Sequence, residues 1–121
     1  MLLGLLGSFE ILGLHVAVHQ FVRIGAYSII GGQSAVSQDI PPYVSAAGNR
    51  AKLYGLNLVG LKRRGFSDAV INTLKKAYKI IFRSGLTQDE ATRRALAEFP
   101  ESSEVRTFVE FIRSSKRGVT R

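Results

Sequence analysis

The chain has 121 residues, enough for one ordinary domain or two very small ones. Its hydrophobic share of 45% allows a core, but no run reaches the roughly 18 apolar residues that a membrane span needs. The apolar start lacks the basic flank of a secretory signal, and the lack of cysteine excludes disulfides and thiolate metal sites. These features predict a soluble protein of a reducing compartment, with no membrane span.

The formal net charge is +8, and most of the excess lies beyond residue 61. A positive field attracts nucleic acid, anionic membranes, nucleotide phosphates and acidic proteins alike, so charge alone selects none of them. Dispersed basic residues also fit an ordinary solvated face. Binding of nucleic acid is not expected, because the phenylalanines beyond residue 80 fall largely on apolar faces instead of alternating with the cations.

An aliphatic residue returns every six positions over the first third of the chain. It does so at Leu6, Leu12, Val18, Ile24, Ile30 and Val36. Six matches neither the helical period of 3.6 nor the strand period of two. It is typical of a hexapeptide-repeat parallel β-helix of about two coils, with the aliphatic residues stacked inside and glycines after them at tight corners. A pair of buried hairpins is the alternative.

Pro41 and Pro42 follow the repeat, and each lacks a backbone donor. The strand ladder is therefore predicted to end at these prolines. Residues 44–53 are expected to form an irregular connection or one last strand with a turn at Gly48-Asn49. The first predicted unit is thus residues 1–53.

From residue 54 the pattern becomes helical, which predicts an α-helical C-terminal domain over residues 54–121. Asn57 is a candidate cap for a short helix that ends at Gly65, and Ser67 for one over 68–83. Thr87 opens a capping box for a helix to about Phe99, and Ser102 or Ser103 opens the fourth. Three helices after a short one would cover one end of the β-helix.

Several motifs together resemble a known family. They are Ala17-Val18-His19-Gln20-Phe21, Gln38-Asp39-Ile40-Pro41-Pro42-Tyr43, Gly55-Leu56-Asn57 and Gly60-Leu61-Lys62-Arg63-Arg64-Gly65-Phe66. From about residue 9 onward they are similar to the UDP-N-acetylglucosamine O-acyltransferases of lipid A biosynthesis. A hexad repeat alone would indicate only the broader acyltransferase superfamily.

The resemblance implies a left-handed β-helix, a homotrimer and a cytoplasmic location. It implies transfer of a 3-hydroxyacyl group from acyl carrier protein to the 3-hydroxyl of UDP-N-acetylglucosamine. A histidine would serve as general base and a backbone amide would hold the oxyanion, with no metal and no cofactor.

The resemblance also implies what this chain does not contain. In the family the general base and most sugar-site histidines belong to coils that precede this region, and Leu2-Leu3 stands where a Gly-His pair is expected. The chain is therefore expected to be a C-terminal part of the enzyme that is inactive alone, with no catalytic residue of its own. A non-catalytic module that keeps trimerisation or carrier-protein binding is the alternative.

Six substrate-binding residues are carried over by motif. They are His19, Gln20, Gly32, Asn57, Arg63 and Arg64. His19 would line the acyl and pantetheine groove, Gln20 would contact the nucleotide sugar, and Gly32 would leave the groove open for a long acyl chain. Each also has a structural alternative: a satisfied polar residue, a turn glycine or the cationic end of a helix.

Asn57, Arg63 and Arg64 would hold the UDP portion and neighbouring carrier contacts. A guanidinium binds phosphate oxygens through two parallel donors, which suits this assignment. Val59 stands where the family often has an acidic residue. Basic residues of the later helices would steer the acidic acyl carrier protein: Lys75, Lys76, Lys79, Arg83, Arg93, Arg94, Arg113, Lys116 and Arg117.

Overall fold

The computed structural model describes residues 16–121 and, by their strand pairing alone, residues 4–6 and 10–11. Among these residues, eight short strands come before the helices. They are β1 Gly4–Leu6, β2 Glu10–Ile11, β3 Ala17–Val18, β4 Arg23–Gly25, β5 Ile29–Ile30, β6 Ala35–Val36, β7 Val44–Ala47 and β8 Lys52–Leu56. Each of β4, β5 and β6 stacks on the strand three places earlier in the chain.

The strands form three separate faces. β1 pairs with β4, β2 with β5, and β3 with β6, each time in parallel. A further level follows, because β7 pairs in parallel with β5 and single parallel bridges join Ile24 to Ile40 and Ala35 to Asn49. This stacking is the parallel coil that the six-residue period predicts, and it is not a pair of hairpins.

The predicted aliphatic stack is confirmed from β3 onward. Val18, Ile24, Ile30 and Val36 are all buried. In the preceding turn, Leu5 and not Leu6 pairs with Ile24, and Ile11 pairs with Ile30. The predicted register, which places Leu6 beside Ile24, is therefore wrong, and Leu12 lies outside the described residues. The cause is one extra residue between Ile11 and Val18, which breaks the strict spacing of six.

The coil corners use non-glycine residues with positive φ. Phe21, Tyr27 and Gln33, spaced six apart, have φ of 68°, 64° and 57°. The predicted corner glycines act differently: Gly25 and Gly31 do not have positive φ. Gly25 lies against the next level of the coil, where an added Cβ would overlap Pro42 N and stand 2.6 Å from Pro42 Cα. Glycine is needed here for close approach and not for the turn.

The prediction that the strand ladder ends at the prolines is wrong. Pro41 and Pro42 occupy a corner, where the ladder requires no donor from them. The bonds come from neighbours: Gly25 N donates to Ile40 O at 2.7 Å, and Ile40 N donates to Arg23 O at 2.9 Å. The parallel stack ends later, where β7 turns back into the antiparallel strand β8. β8 runs across the predicted boundary between residues 53 and 54.

All four predicted helices are present. They are α1 Leu58–Arg63, α2 Asp68–Arg83, α3 Gln88–Glu98 and α4 Ser103–Ser114. Asn57, Ser67, Thr87 and Ser102 cap them, each accepting from the backbone amide three residues on. The predicted apolar stripe of α4 is buried, with Phe111 as an additional buried residue, and that of α2 is buried apart from Val70, which is partly exposed.

An aromatic cluster joins the coil to the helices. Phe108 of α4 is fully buried, 5.8 Å from the ring of Tyr43 and 6.0 Å from that of Phe82. Tyr43 lies at a coil corner with φ of 72° and its ring also stacks beside Tyr27. The two parts of the chain therefore share one core.

A second junction, here called the clasp, ties residues 115–120 to Gln38 and Asp39. Val119 forms a parallel bridge with Asp39, and Thr120 N donates to Asp39 O at 2.8 Å. The Thr120 hydroxyl donates to Gln38 O at 3.1 Å. The segment after α4 is thereby held against the residues that follow β6.

Candidate functional site

A cleft of about 470 Å³ lies between the outer face of β5, β7 and β8 and helix α1. Strand alternation exposes one side chain per strand here: Ser45 is partly exposed while Val44 and Ala46 are buried. The lining residues are Ile29, Ser45, Leu56, Asn57, Leu58, Val59, Gly60 and Arg63. The walls are mostly apolar, and the charged group among these residues is a guanidinium.

Asn57 places α1 at the edge of this cleft. Its Oδ1 accepts from Gly60 N at 3.1 Å, which caps the helix, and its Nδ2 donates to Tyr27 O at 3.0 Å. Its side chain is largely buried, so it contributes little surface to the cleft. The sequence-predicted binding residue is present at the cleft, but its polar atoms already have partners within the protein.

Arg63 is in the last turn of α1 and is exposed at the cleft, where a cation also complements the helix dipole. Val59 is 68% exposed on the same helix. No acidic side chain is among the described residues that line the cleft. A guanidinium above an apolar floor suits an anionic ligand that also has an apolar or planar part.

Arg64 does not join Arg63. Its guanidinium carbon lies 5.8 Å from the centre of the Tyr27 ring, on the corner to which Asn57 also bonds. Consecutive residues on a helix point about 100° apart, so only one of the two arginines faces the cleft. Of the predicted binding residues, the structure brings together Asn57 and Arg63.

The other three predicted residues lie at different corners. His19 and Gln20 are exposed after β3, where His19 Nδ1 is 3.0 Å from Gln20 O. Gly32 is exposed at the corner between β5 and β6. None of these three lines the cleft beside α1. His15, for which the sequence predicts no role, lies outside the described residues.

Sequence reasoning did not find a buried polar network at the clasp. Asp39, 2% exposed, accepts from Arg23 N at 2.9 Å and from the Ser115 hydroxyl at 2.7 Å. The Arg23 guanidinium lies 3.6 Å from the same carboxylate and donates to Ser114 Oγ at 2.8 Å. These partners come from segments up to 91 residues apart, so no local sequence pattern could predict the network.

Two further observations bear on the kind of site. Within the described part of the chain, no three His, Cys, Asp or Glu side chains gather in a way that could hold a metal ion. Among the helices in that part, none has both the length and the apolar character needed to cross a bilayer.

The chain forms a parallel coil whose corners recur every six residues, and capped helices follow it. This arrangement is typical of hexapeptide-repeat β-helix proteins. Comparison with known proteins identifies a family within this class. The sequence profile described as "Udp N-acetylglucosamine O-acyltransferase; Domain 2" matches residues 39–120, well over half of the chain. The chain therefore belongs to the UDP-N-acetylglucosamine O-acyltransferase family.

Curated relatives agree with this assignment. The chain is 49% identical over 120 residues to the acyl-[acyl-carrier-protein]–UDP-N-acetylglucosamine O-acyltransferase of Burkholderia orbicola, and 46% identical over 121 residues to that of Burkholderia mallei. Each match covers 96% of this chain and 46% of the relative. The chain thus spans about half the length of the curated relatives it matches.

Solved structures show the same fold. A UDP-N-acetylglucosamine acyltransferase from Campylobacter jejuni is 41% identical with a TM-score of 0.86, and one from Arabidopsis is 35% identical with a TM-score of 0.90. Both matches cover 98% of this chain, and they cover 45% and 44% of those chains. The similarity therefore includes the coil as well as the helices.

Proposed function

We propose that this chain takes part in the transfer of a 3-hydroxyacyl group from acyl carrier protein to UDP-N-acetylglucosamine, a step of lipid A biosynthesis. The sugar 3-hydroxyl would attack the thioester carbonyl, the C–S bond would break, and the carrier thiol would take up the proton as the ester forms. The main support is that the family match over residues 39–120 contains the cleft residues Asn57 and Arg63.

In this proposal Arg63 binds the diphosphate of the nucleotide through charge-assisted hydrogen bonds. Arg64 contributes to carrier or nucleotide contacts from the neighbouring corner. His19 and Gln20 serve the acyl and sugar portions, and Gly32 leaves room for a long acyl chain. Val59 offers no carboxylate to the ribose or sugar, so nucleotide affinity should be lower than with an acidic residue.

The general base is proposed to come from a coil outside residues 1–121. His19 is a poor base for this reaction, because it is exposed, its Nδ1 is 3.0 Å from Gln20 O and it does not line the cleft. Activity of the chain on its own would contradict this part of the proposal.

The proposal includes an assembly. It is a cytoplasmic homotrimer with left-handed coils formed mainly by residues 1–53, and with a helical domain that follows the end of β8 within residues 54–121. Exposed cations on α2, such as Lys75 and Lys79, would steer the acidic acyl carrier protein. This steering should weaken as salt is added.

The first test is calorimetric binding of UDP-N-acetylglucosamine to the chain and to Arg63→Ala. Loss of about tenfold or more in affinity is expected, since a charge-assisted hydrogen bond contributes about 1.5–3 kcal/mol. Lys62→Ala is the matched control: it removes one cation from the same helix but does not line the cleft. Equal losses in both variants would indicate a general charge effect and would contradict the proposed site.

The second test is acyl transfer by the chain with and without a separately produced segment that carries the preceding coils of a relative. Activity only in the mixture supports the proposed division of roles. The alternative function, a non-catalytic module for trimerisation or carrier binding, is favoured by the coverage of 46% of the relatives. It would be preferred if the mixture stays inactive while the chain still binds acyl carrier protein.

A further inference from the structure

Asn57 connects α1 to the coil through every polar group it has. Its backbone N donates to Tyr43 O at 2.8 Å, and its backbone O accepts from Leu61 N at 2.9 Å. The side chain caps α1 at Gly60 N and reaches Tyr27 O. With 8% of its surface exposed, Asn57 contacts two coil corners and the helix at once.

The missing side chain at Gly60 makes room for the Asn57 amide. A Cβ on Gly60 would overlap Asn57 Nδ2 and stand 2.8 Å from its Cγ. The φ of Gly60 is not positive, so glycine is needed here to accommodate the neighbouring amide and not for the backbone. The two residues act as one fitted pair.

The other end of α1 is held at the same corner. The Arg64 guanidinium lies over the Tyr27 ring, and the Phe66 ring meets that ring edge-on at 5.0 Å. A helix of six residues has too few internal hydrogen bonds to be stable alone. The position of α1, and with it that of Arg63, therefore depends on the Tyr27 corner.

We infer that Asn57 is a positioning residue, and that it sets where Arg63 stands at the cleft instead of binding the nucleotide itself. This role differs from the ligand role that the family motif predicts for Asn57. The inference rests on the proposed function in one respect only, namely that Arg63 meets the anionic ligand. The anchoring of α1 by Asn57 can be tested without any ligand.

The binding test is a double-mutant cycle with UDP-N-acetylglucosamine, using Asn57→Ala, Arg63→Ala and the double variant. Asn57→Ala should weaken binding about fivefold, the equivalent of one N-cap contact of about 1 kcal/mol. In the Arg63→Ala background the same change should have almost no further effect, because the group it positions is gone. A fivefold loss in both backgrounds would mean that Asn57 contacts the ligand directly, and would overturn the inference.

The structural test is amide hydrogen exchange at Gly60 and Leu61, followed without ligand. Asn57→Ala should accelerate exchange at both amides, and Gly60→Ala should do the same with the asparagine still present. Asn57→Ser, which keeps a cap acceptor but cannot reach as far as Tyr27 O, should protect Gly60 better than alanine does and guards against a variant that fails to fold.

Thr87→Ala is the matched control for these variants, because it removes the N-cap of α3, away from the cleft. It should change neither the exchange of α1 nor the binding. Unchanged exchange of α1 in Asn57→Ala would overturn the inference whatever the binding data show. Faster exchange in a protein that binds no UDP-N-acetylglucosamine even as wild type would refute the proposed function and leave the anchoring role supported.

Discussion

The coil and the helical segment are packed differently, and we expect them to tolerate different kinds of substitution. The coil consists of strands of two to five residues held by inter-turn hydrogen bonds, and its levels approach so closely that Gly25 has no room for a Cβ. The helices are held by capped ends and by large buried side chains such as Phe108. The coil should therefore be sensitive to added atoms and the helical segment to removed ones.

The largest effect is expected from Phe108→Ala, which removes a fully buried ring from the aromatic cluster. Stability should fall by about 3–5 kcal/mol in urea unfolding, from lost burial and the cavity left behind. Phe21→Ala is the control for burial, because it removes the same ring from a coil corner where that ring is 59% exposed. It should cost well under about 1 kcal/mol, and an equal loss in the two variants would contradict the comparison.

Asp39→Asn tests the clasp between the two regions. The change weakens the bonds from Arg23 and Ser115 to a buried carboxylate and should destabilise the protein by about 3 kcal/mol. Asp89→Asn is the control, since Asp89 pairs with Arg93 on the exposed surface of α3 and should contribute less than about 0.5 kcal/mol. Equal unfolding midpoints for the two variants would show that the clasp is not a stabilising junction.

Gly25→Ala adds one methyl group to the coil, against the backbone of Pro42. We expect a loss of about 1–3 kcal/mol, because a backbone cannot shift as a flexible side chain can. Gly31→Ala is the graded control: its Cβ would lie 3.0 Å from the Ala47 Cβ and no nearer than 3.8 Å to the Ala46 carbonyl oxygen. Thermal melts should therefore rank Gly31→Ala between wild type and Gly25→Ala, and the reverse order would be inconsistent with close packing at Pro42.

The smallest effect concerns alkaline pH. Burial raises the pKa of Tyr43 to about 12, above its ordinary value of 10.0. The folded protein thus holds this proton more tightly than the unfolded chain, so the contribution to stability is complete below pH 10 and is lost as pH rises from 10 towards 12. Unfolding measured across this range should show a steeper decline for wild type than for Tyr43→Phe. Parallel curves would exclude Tyr43 as the cause.

The helices could be predicted because their signals are local. A cap such as Ser67 or Thr87 and the apolar stripe after it lie within a few turns of one another. The coil could be predicted in kind but not in register, since one residue inserted between Ile11 and Val18 shifts every earlier pair. The prediction that the ladder ends at the two prolines is wrong because a missing backbone donor matters only within a ladder, and these residues lie at a corner.

The candidate site was predictable in part for similar reasons. Asn57 and Arg63 belong to one short helix, so motif similarity placed them together. The motif could not show that the Arg64 guanidinium lies over the Tyr27 ring. Nor could it show that Asn57 Nδ2 donates to Tyr27 O, because these two residues are 30 positions apart. The same limit hid the network of Arg23, Asp39 and Ser115.

The clasp has a consequence for how the protein folds. Its contacts join residues 76 and 82 positions apart, so they close a loop that contains all four helices. Closing so long a loop has an entropic cost that opposes formation of its few bonds. We therefore expect the clasp to form late, after the helices. Refolding followed at Thr120 should therefore lag behind refolding followed at α2.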